Sequence, residues 1–250
     1  MRSVDANKFQ LQNSQYTFPY HYIPHFKKDG TPSVTRNLRW GLEYLCYQNH
    51  LRAKTISMSP RSVLEVGCGD GFFIGRLPKS IQTRIGCDLS TEAISFAKAF
   101  WPDCIFYDTD VYEIDGKFDL VAAIEVLEHI PDDCISIFIS SLAEKLHPSG
   151  NIIISVPTIN TPLNKKHYRH YTLSILEKQI RESGTGLKIV QHEYIYSNPF
   201  WMDIITRLIS NRFFALEINF FMKFAWKRIW RYHRVTTPSR GRHLVSYICF

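Results

Sequence analysis

Six cysteines are scattered through the chain with no Cys-x-x-Cys pair. Cys46, Cys68, Cys87, Cys104, Cys134 and Cys249 therefore offer no disulfide framework and read as reduced thiols of a cytosolic protein. The first 30 residues lack the apolar core of a secretory leader, because Lys8, Gln10, Gln12, Asn13 and Gln15 interrupt it. No run of about 18 apolar residues occurs, which excludes a conventional membrane-spanning helix. Internal repeats and low-complexity tracts are also missing. What remains is an ordinary globular composition, 45% apolar and 21% charged over 250 residues. That length suits one large domain or a domain with an appendage.

Acidic residues are scarce at one place only. Residues 1–200 hold 21 Lys and Arg against 21 Asp and Glu, whereas residues 201–250 hold 9 against 2. The whole net charge of +7 thus lies in the last fifth of the chain.

The richest stretch is Val63-Leu64-Glu65-Val66-Gly67-Cys68-Gly69-Asp70-Gly71. An aliphatic run ends, three glycines follow at alternate positions, and a helix-compatible segment starts at Phe72. Glycine tolerates positive φ and leaves no Cβ in a ligand's way, and a following helix would aim N–H groups at the ligand. The spacing differs from the Gly-x-Gly-x-x-Gly of dinucleotide folds, and the Lys-Ser/Thr of a phosphate loop is missing. A second strand, Ile81 to Cys87, ends at Asp88, about 20 residues on, where a ribose diol finds a carboxylate. Leu89 would offer an apolar face to a base, and Ser90 would cap the helix through Ala93, Ile94, Ala97 and Lys98. Cys104 to Asp108 reads as a third strand, Phe118 to Ile124 as a fourth and Ile152 to Val156 as a fifth.

With Glu65 in front, the glycine stretch resembles motif I of the class I S-adenosylmethionine (SAM) dependent methyltransferases. Glu125-Val126-Leu127-Glu128-His129-Ile130-Pro131 resembles the family's motif after strand four, and Leu146-His147-Pro148-Ser149-Gly150-Asn151 its fifth-strand signature. These matches cover residues 61 to 157 in order. The resemblance implies an α/β fold with a Rossmann-like, doubly wound, seven-stranded sheet whose last strand lies between the fifth and sixth. It implies SAM as cofactor and S-adenosylhomocysteine as product. Glu65, Gly67, Cys68 and Gly69 would line the loop, Asp88 the ribose, Leu89 and Asp108 the adenine, and Glu125 the methionine portion. Asp110 competes with Asp108 for the adenine amino group.

Glu125, Glu128 and His129 fall at helical spacing, so they could share a face. The set looks like the metal site of small-RNA 3′-terminal 2′-O-methyltransferases, and some ubiquinone-pathway O-methyltransferases share the pattern. His167 or His170 could add a ligand. The plainer expectation is no metal, with His129, Glu125 and His167 as the catalytic set and a histidine as base, since a neutral imidazole accepts a hydroxyl proton near pH 7. The aromatic run Phe18 to Pro24 suggests a lid.

The resulting plan has an N-terminal lid and helix (1–57), a SAM-binding core (58–196), a basic aromatic helical insertion (197–240) and a final core strand (241–250). A helix is expected from Arg36 to about Ile56, another from Thr172 to Ser183, and a sixth strand from Leu187 to Tyr196. The 44 residues from Ser197 to Arg240 are long for a connection and should form two helices. Three readings of them stay open: a membrane-surface element through residues 201–234, a nucleic-acid surface, or a substrate cap with its apolar side chains buried. The aromatic content favours apolar contact over nucleic acid. The expected function is O-methylation of a small-molecule, lipid or sugar intermediate by a cytoplasmic enzyme. The runners-up are an RNA 2′-O-methyltransferase with a divalent metal at Glu125/Glu128/His129, and a catalytically silent SAM-binding partner protein.

Overall fold

The computed structural model describes residues 6–14, 16, 25–33, 38–209, 216 and 218–250. In chain order the helices are α1 (Ala6–Asn13), α2 (Leu38–Met58), α3 (Phe72–Gly75), α4 (Thr91–Phe100), α5 (Ile135–Glu144), α6 (Leu173–Glu182), α7 (Phe200–Ile209) and α8 (Asn219–Arg228). The strands are β1 (His25–Phe26), β2 (Pro32–Ser33), β3 (Ser62–Val66), β4 (Thr83–Cys87), β5 (Ile105–Tyr107), β6 (Phe118–Ile124), β7 (Leu146–Pro157), β8 (Lys188–Ile195), β9 (Val235–Thr236) and β10 (His243–Cys249). The residues fall into two compact units, one of Met1–Tyr16, Arg52–Glu193 and Leu244–Phe250, the other of Thr17–Leu51 and Tyr194–His243.

The main sheet has eight strands where seven are expected, in the order β5-β4-β3-β6-β7-β10-β8-β9, the addition being the two-residue edge strand β9. Its first five strands pair in parallel. The apolar runs explain the centre of the sheet. Val63 and Leu64 of β3, Val121, Ala122 and Ala123 of β6 and Ile153 of β7 are all fully buried, as strands covered on both faces must be. The reversal between β3 and β6 creates the crevice at the strand tips where doubly wound folds bind ligands. The last strand, β10, sits between β7 and β8, the sheet order expected from the resemblance.

Capping fixes the flanking helices. The Ser90 hydroxyl accepts from Ala93 N at 3.1 Å and starts α4. The Thr172 hydroxyl accepts from Ile175 N at 3.3 Å and starts α6, with Gly184 at φ +68° just past its end. Strand ends differ from the sequence expectation by one or two residues at β4, β5 and β8. The larger difference is β7, which begins at Leu146 and so includes the turn-like Pro148-Ser149-Gly150. Its register against β6 shifts between Phe118 and Leu120, which accommodates that segment as an irregularity within a strand.

In the second unit, Tyr194 and Ile195 pair antiparallel with Thr236 and Val235, and β1 pairs antiparallel with β2. The expected two helices between Ser197 and Arg240 are α7 and α8, the latter running into a π-helical turn, Ile229–His233. The suggested lid, Phe18 to Pro24, lies outside the described residues.

Candidate active site

The glycine turn leaves β3 with Gly67 at φ +70° and Gly69 at φ +53°. A Cβ on Gly67 would come within 2.5 Å of a Val126 methyl, and one on Gly69 within 2.6 Å of the Tyr16 hydroxyl. Neither position admits a side chain, so the loop presents bare backbone. The loop is tied to β4, since Gly67 N and Cys68 N both donate to the Cys87 carbonyl, at 2.8 and 3.0 Å.

Asp88, at the tip of β4, holds this turn and the next. Its Oδ2 accepts from Gly69 N and its Oδ1 from Ser90 N, each at 2.9 Å. Burial pushes its carboxyl above the usual range, and those backbone donors oppose the shift. Each oxygen keeps a second lone pair for a hydroxyl donor. Leu89 is exposed beside it. Asp108 is exposed past the end of β5, with the Thr91 hydroxyl 3.4 Å away. Asp110 caps a short 3-10 turn, its carboxylate accepting from Tyr112 N.

Glu65 is buried, and its Oε2 accepts from Ile74 N at 3.1 Å. Asp70 Oδ1 accepts from Phe72 N. These acids occupy N–H groups of α3, a helix of only four residues. The sequence expectation that this helix aims unoccupied donors at a ligand therefore does not hold for Phe72 and Ile74. Burial raises the Glu65 carboxyl well above the ordinary range.

At the end of β6, Glu125 takes φ +56°, a conformation unusual for a side chain of its size and typical of functional turns. Two bonds hold it against β7. Its N–H donates to the Ser155 carbonyl, and its Oε1 accepts from the Ser155 hydroxyl at 2.7 Å. The chain then makes a 3-10 turn, Leu127–His129. Glu128 is 1% exposed. Among the described residues, Glu128, His129 and His167 offer ligand atoms that all lie within 4.8 Å of one another. Glu125, expected in such a set, is not one of the three.

Hydrogen bonding fixes the protons of these imidazoles. His129 Nδ1 lies 3.3 Å from the Lys166 carbonyl, which can only accept, so Nδ1 carries the proton and Nε2 the lone pair. That Nε2 lies 4.0 Å from Glu128 Oε1. The Thr161 hydroxyl donates to the Thr158 carbonyl at 2.8 Å, so toward His170 it accepts. His170 Nδ1 faces that hydroxyl at 3.0 Å and the Thr161 carbonyl at 3.1 Å, and two acceptors require a proton on it. A neutral His170 then accepts through Nε2 from His167 Nδ1, 2.8 Å away. His167 is left with its lone pair on Nε2. The relay runs Thr161–His170–His167. Burial lowers the His129 pKa to about 4 and the His167 pKa to about 3, the nearby His129 and His170 adding to the latter. Both rings are neutral at pH 7. The pair can accept a proton or, with Glu128, ligate a divalent cation.

The loop bearing His167 is fastened from three sides. Tyr168 N donates to the Glu128 carbonyl, Arg169 Nη1 to the Leu127 carbonyl, and Lys8 of α1 to the carbonyls of Lys165 and His167.

The strand-tip crevice, its backbone cradle and a carboxylate at the second strand are those of a doubly wound nucleotide-binding fold. The chain belongs to the methyltransferase-domain family, whose model matches residues 38–215, and within it to the class I SAM-dependent type. A probable SAM-dependent methyltransferase of Mycolicibacterium smegmatis is 27% identical over 134 residues, covering 50% of this chain and 51% of that one. A ubiquinone biosynthesis O-methyltransferase of Proteus mirabilis is 26% identical over 185 residues, covering 68% and 70%. Across the first two curated relatives matched, the chain spans about half of their length. In fold it is similar to the magnesium protoporphyrin IX methyltransferase of Synechocystis solved with S-adenosylhomocysteine, with a TM-score of 0.58 at 13% identity over 98% of this chain and 95% of that one.

Sequence reasoning named His129, His167 and Glu125 but missed the groups that set their geometry. Thr161, Ser155 and the Lys166 carbonyl carry no motif. Tyr16, just before the aromatic run Phe18 to Pro24, carries no motif that places it over Gly69.

Proposed function

We propose that this chain is a SAM-dependent O-methyltransferase acting on a hydroxyl of a small-molecule or lipid-like acceptor. The observation that carries the reading is the pair of imidazoles whose Nε2 lone pairs are set by separate hydrogen bonds, one in the turn after β6 and one in the loop after β7, beside a glycine turn that presents its backbone. Gly67, Cys68 and Gly69 would take the amino-acid end of the cofactor, Asp88 its ribose hydroxyls, and Leu89 and Asp108 its adenine. Glu65 braces the loop beneath it, and Glu125 stands beside the methionine portion. The cofactor, when bound, supplies a methyl group activated by a sulfonium. The protein's part is to orient the acceptor and remove its proton. His129 or His167, neutral at pH 7, takes that proton on Nε2. Similarity to ubiquinone O-methyltransferases supports oxygen as the acceptor atom.

The test is methyl transfer from labelled SAM to a panel of phenols, catechols, sugars and lipid-linked alcohols, run beside matched amines and thiols. Product as methyl ether supports the reading; product only on nitrogen or sulfur rejects it.

A second reading keeps the fold and adds a divalent cation at Glu128, His129 and His167, as an RNA 2′-O-methyltransferase would require. The 4.8 Å cluster favours it. Isothermal titration with magnesium, manganese and zinc ions distinguishes the two: a heat of binding lost in Glu128→Gln supports the cation, and none with any of them rejects it.

A further inference from the structure

The helices of the insertion put apolar side chains outward. In α7, Phe200, Ile204 and Leu208 are spaced four apart, so they form one stripe, and they are 81%, 57% and 69% exposed. In α8 and the π-helical turn that continues it, Met222, Ala225 and Ile229 make the buried face. The opposite face carries Phe220, Phe224 and Tyr232, 82%, 49% and 58% exposed, interleaved with exposed Lys227, Arg228 and Arg231. The substrate-cap reading expected such apolar side chains to be buried, whereas these are exposed. The basic and aromatic groups are also paired with each other: the Arg228 guanidinium lies 5.7 Å from the Phe224 ring and 5.6 Å from the Tyr232 ring, and that of Arg231 5.3 Å from Tyr232.

The inner side of α8 is anchored. Trp226 packs edge-on against Phe26 at 4.9 Å, Lys223 pairs with Asp29 at 2.8 Å, and Lys27 donates to Asn219. The helix is therefore held from one side and presents the other. From Asn219 to the last residue shown, Phe250, there is no Asp or Glu.

We infer that this face docks on an anionic phospholipid bilayer. A basic helix with aromatic side chains on the same exposed face matches a membrane interface, where rings enter the headgroup layer and Lys and Arg meet phosphates. Charge complementarity selects the partner. A helix with no acidic residue of its own and three basic side chains on its exposed face is drawn to a negative leaflet, and rings about half exposed or more have reason to leave water. Phosphate of a nucleic acid would satisfy the cations but not the stripe of Phe200, Ile204 and Leu208. Lipid binding needs no turnover, so this inference stands apart from the assignment of the acceptor.

The test is flotation of the full chain with phosphatidylcholine vesicles, with and without about one-third phosphatidylglycerol, at low and high salt. Partition into the anionic vesicles should exceed that into neutral ones by about tenfold or more and fall in high salt. Phe220→Ser with Phe224→Ser, and separately Lys227→Glu with Arg228→Glu, should each reduce it about tenfold while leaving SAM affinity and circular dichroism unchanged. Equal partition into neutral vesicles, or either double variant floating like the parent, would overturn the inference. So would a concentration-dependent dimer that the two phenylalanine changes dissolve without any vesicle binding, or tighter binding to RNA that those changes do not alter.

Discussion

The cofactor crevice lies past the ends of β3 and β4 and the histidine cluster past the ends of β6 and β7, and the two are built from different materials. The crevice is backbone: Gly67 and Gly69 at positive φ, with Asp88 tying the loop through its two carboxylate oxygens. The cluster is side chain: three imidazoles and two acids, oriented by bonds from Ser155, Thr161 and the Lys166 carbonyl. A backbone site is written in the residue types that permit it. A side-chain site depends on partners distant in sequence. The first should therefore fail abruptly when a Cβ is added, and the second by degrees as its supporting bonds are removed.

The largest effect should come from Gly67→Ala, which strains a φ of +70° and drives a methyl into Val126. SAM affinity should fall at least about 100-fold, with a loss of stability of about 2–3 kcal/mol, measured by calorimetry and urea unfolding. Next, His129→Ala or His167→Ala should reduce kcat about 10²- to 10⁴-fold with little change in SAM affinity, one of them more than the other according to which is the base. Removing the support should cost less. His170→Leu should lower kcat about tenfold, whereas His170→Gln, whose amide oxygen can still accept from His167 Nδ1, should restore most of it. Nitrogen-15 NMR of the imidazoles should report the Nδ1–H tautomer of His167 in the parent and in His170→Gln, and a mixture in His170→Leu.

A further test concerns pH. Folded values of about 4 for His129 and about 3 for His167 lie below the unfolded value near 6.5. Between those limits the unfolded chain binds protons that the folded chain does not, so stability falls as pH drops from about 6.5 toward 4 and levels off below about 3. The acid limb of kcat/KM should accordingly sit near pH 4 rather than 6.5. A limb at 6.5 would show that the histidines are less desolvated than the structure indicates.

The strands were legible because apolar runs ending in glycine or aspartate have few other meanings. Phe118 to Ile124 is the same in sequence and structure. Leu146 to Gly150 was not, because a Pro-Ser-Gly segment reads as a turn, whereas pairing against β6 keeps it in a strand. His129 and His167 announced themselves by type. Their tautomers did not, because that of His129 rests on the Lys166 carbonyl and that of His167 on His170, itself set by a threonine nine residues before it. In the insertion the sequence supplied the amphipathic content but not its direction. Phe220 and Met222 are both apolar, and only packing against the β1–β2 hairpin side decides which one faces water.

The central claim is that an adenosine-bearing sulfonium binds at the tips of β3 and β4 with its sugar on Asp88. Calorimetric titration of SAM into the parent and into Asp88→Ala, with circular dichroism confirming the fold, tests it most directly. Binding is expected in the parent and none measurable in the variant; equal affinity in a folded variant would show that Asp88 does not hold the sugar.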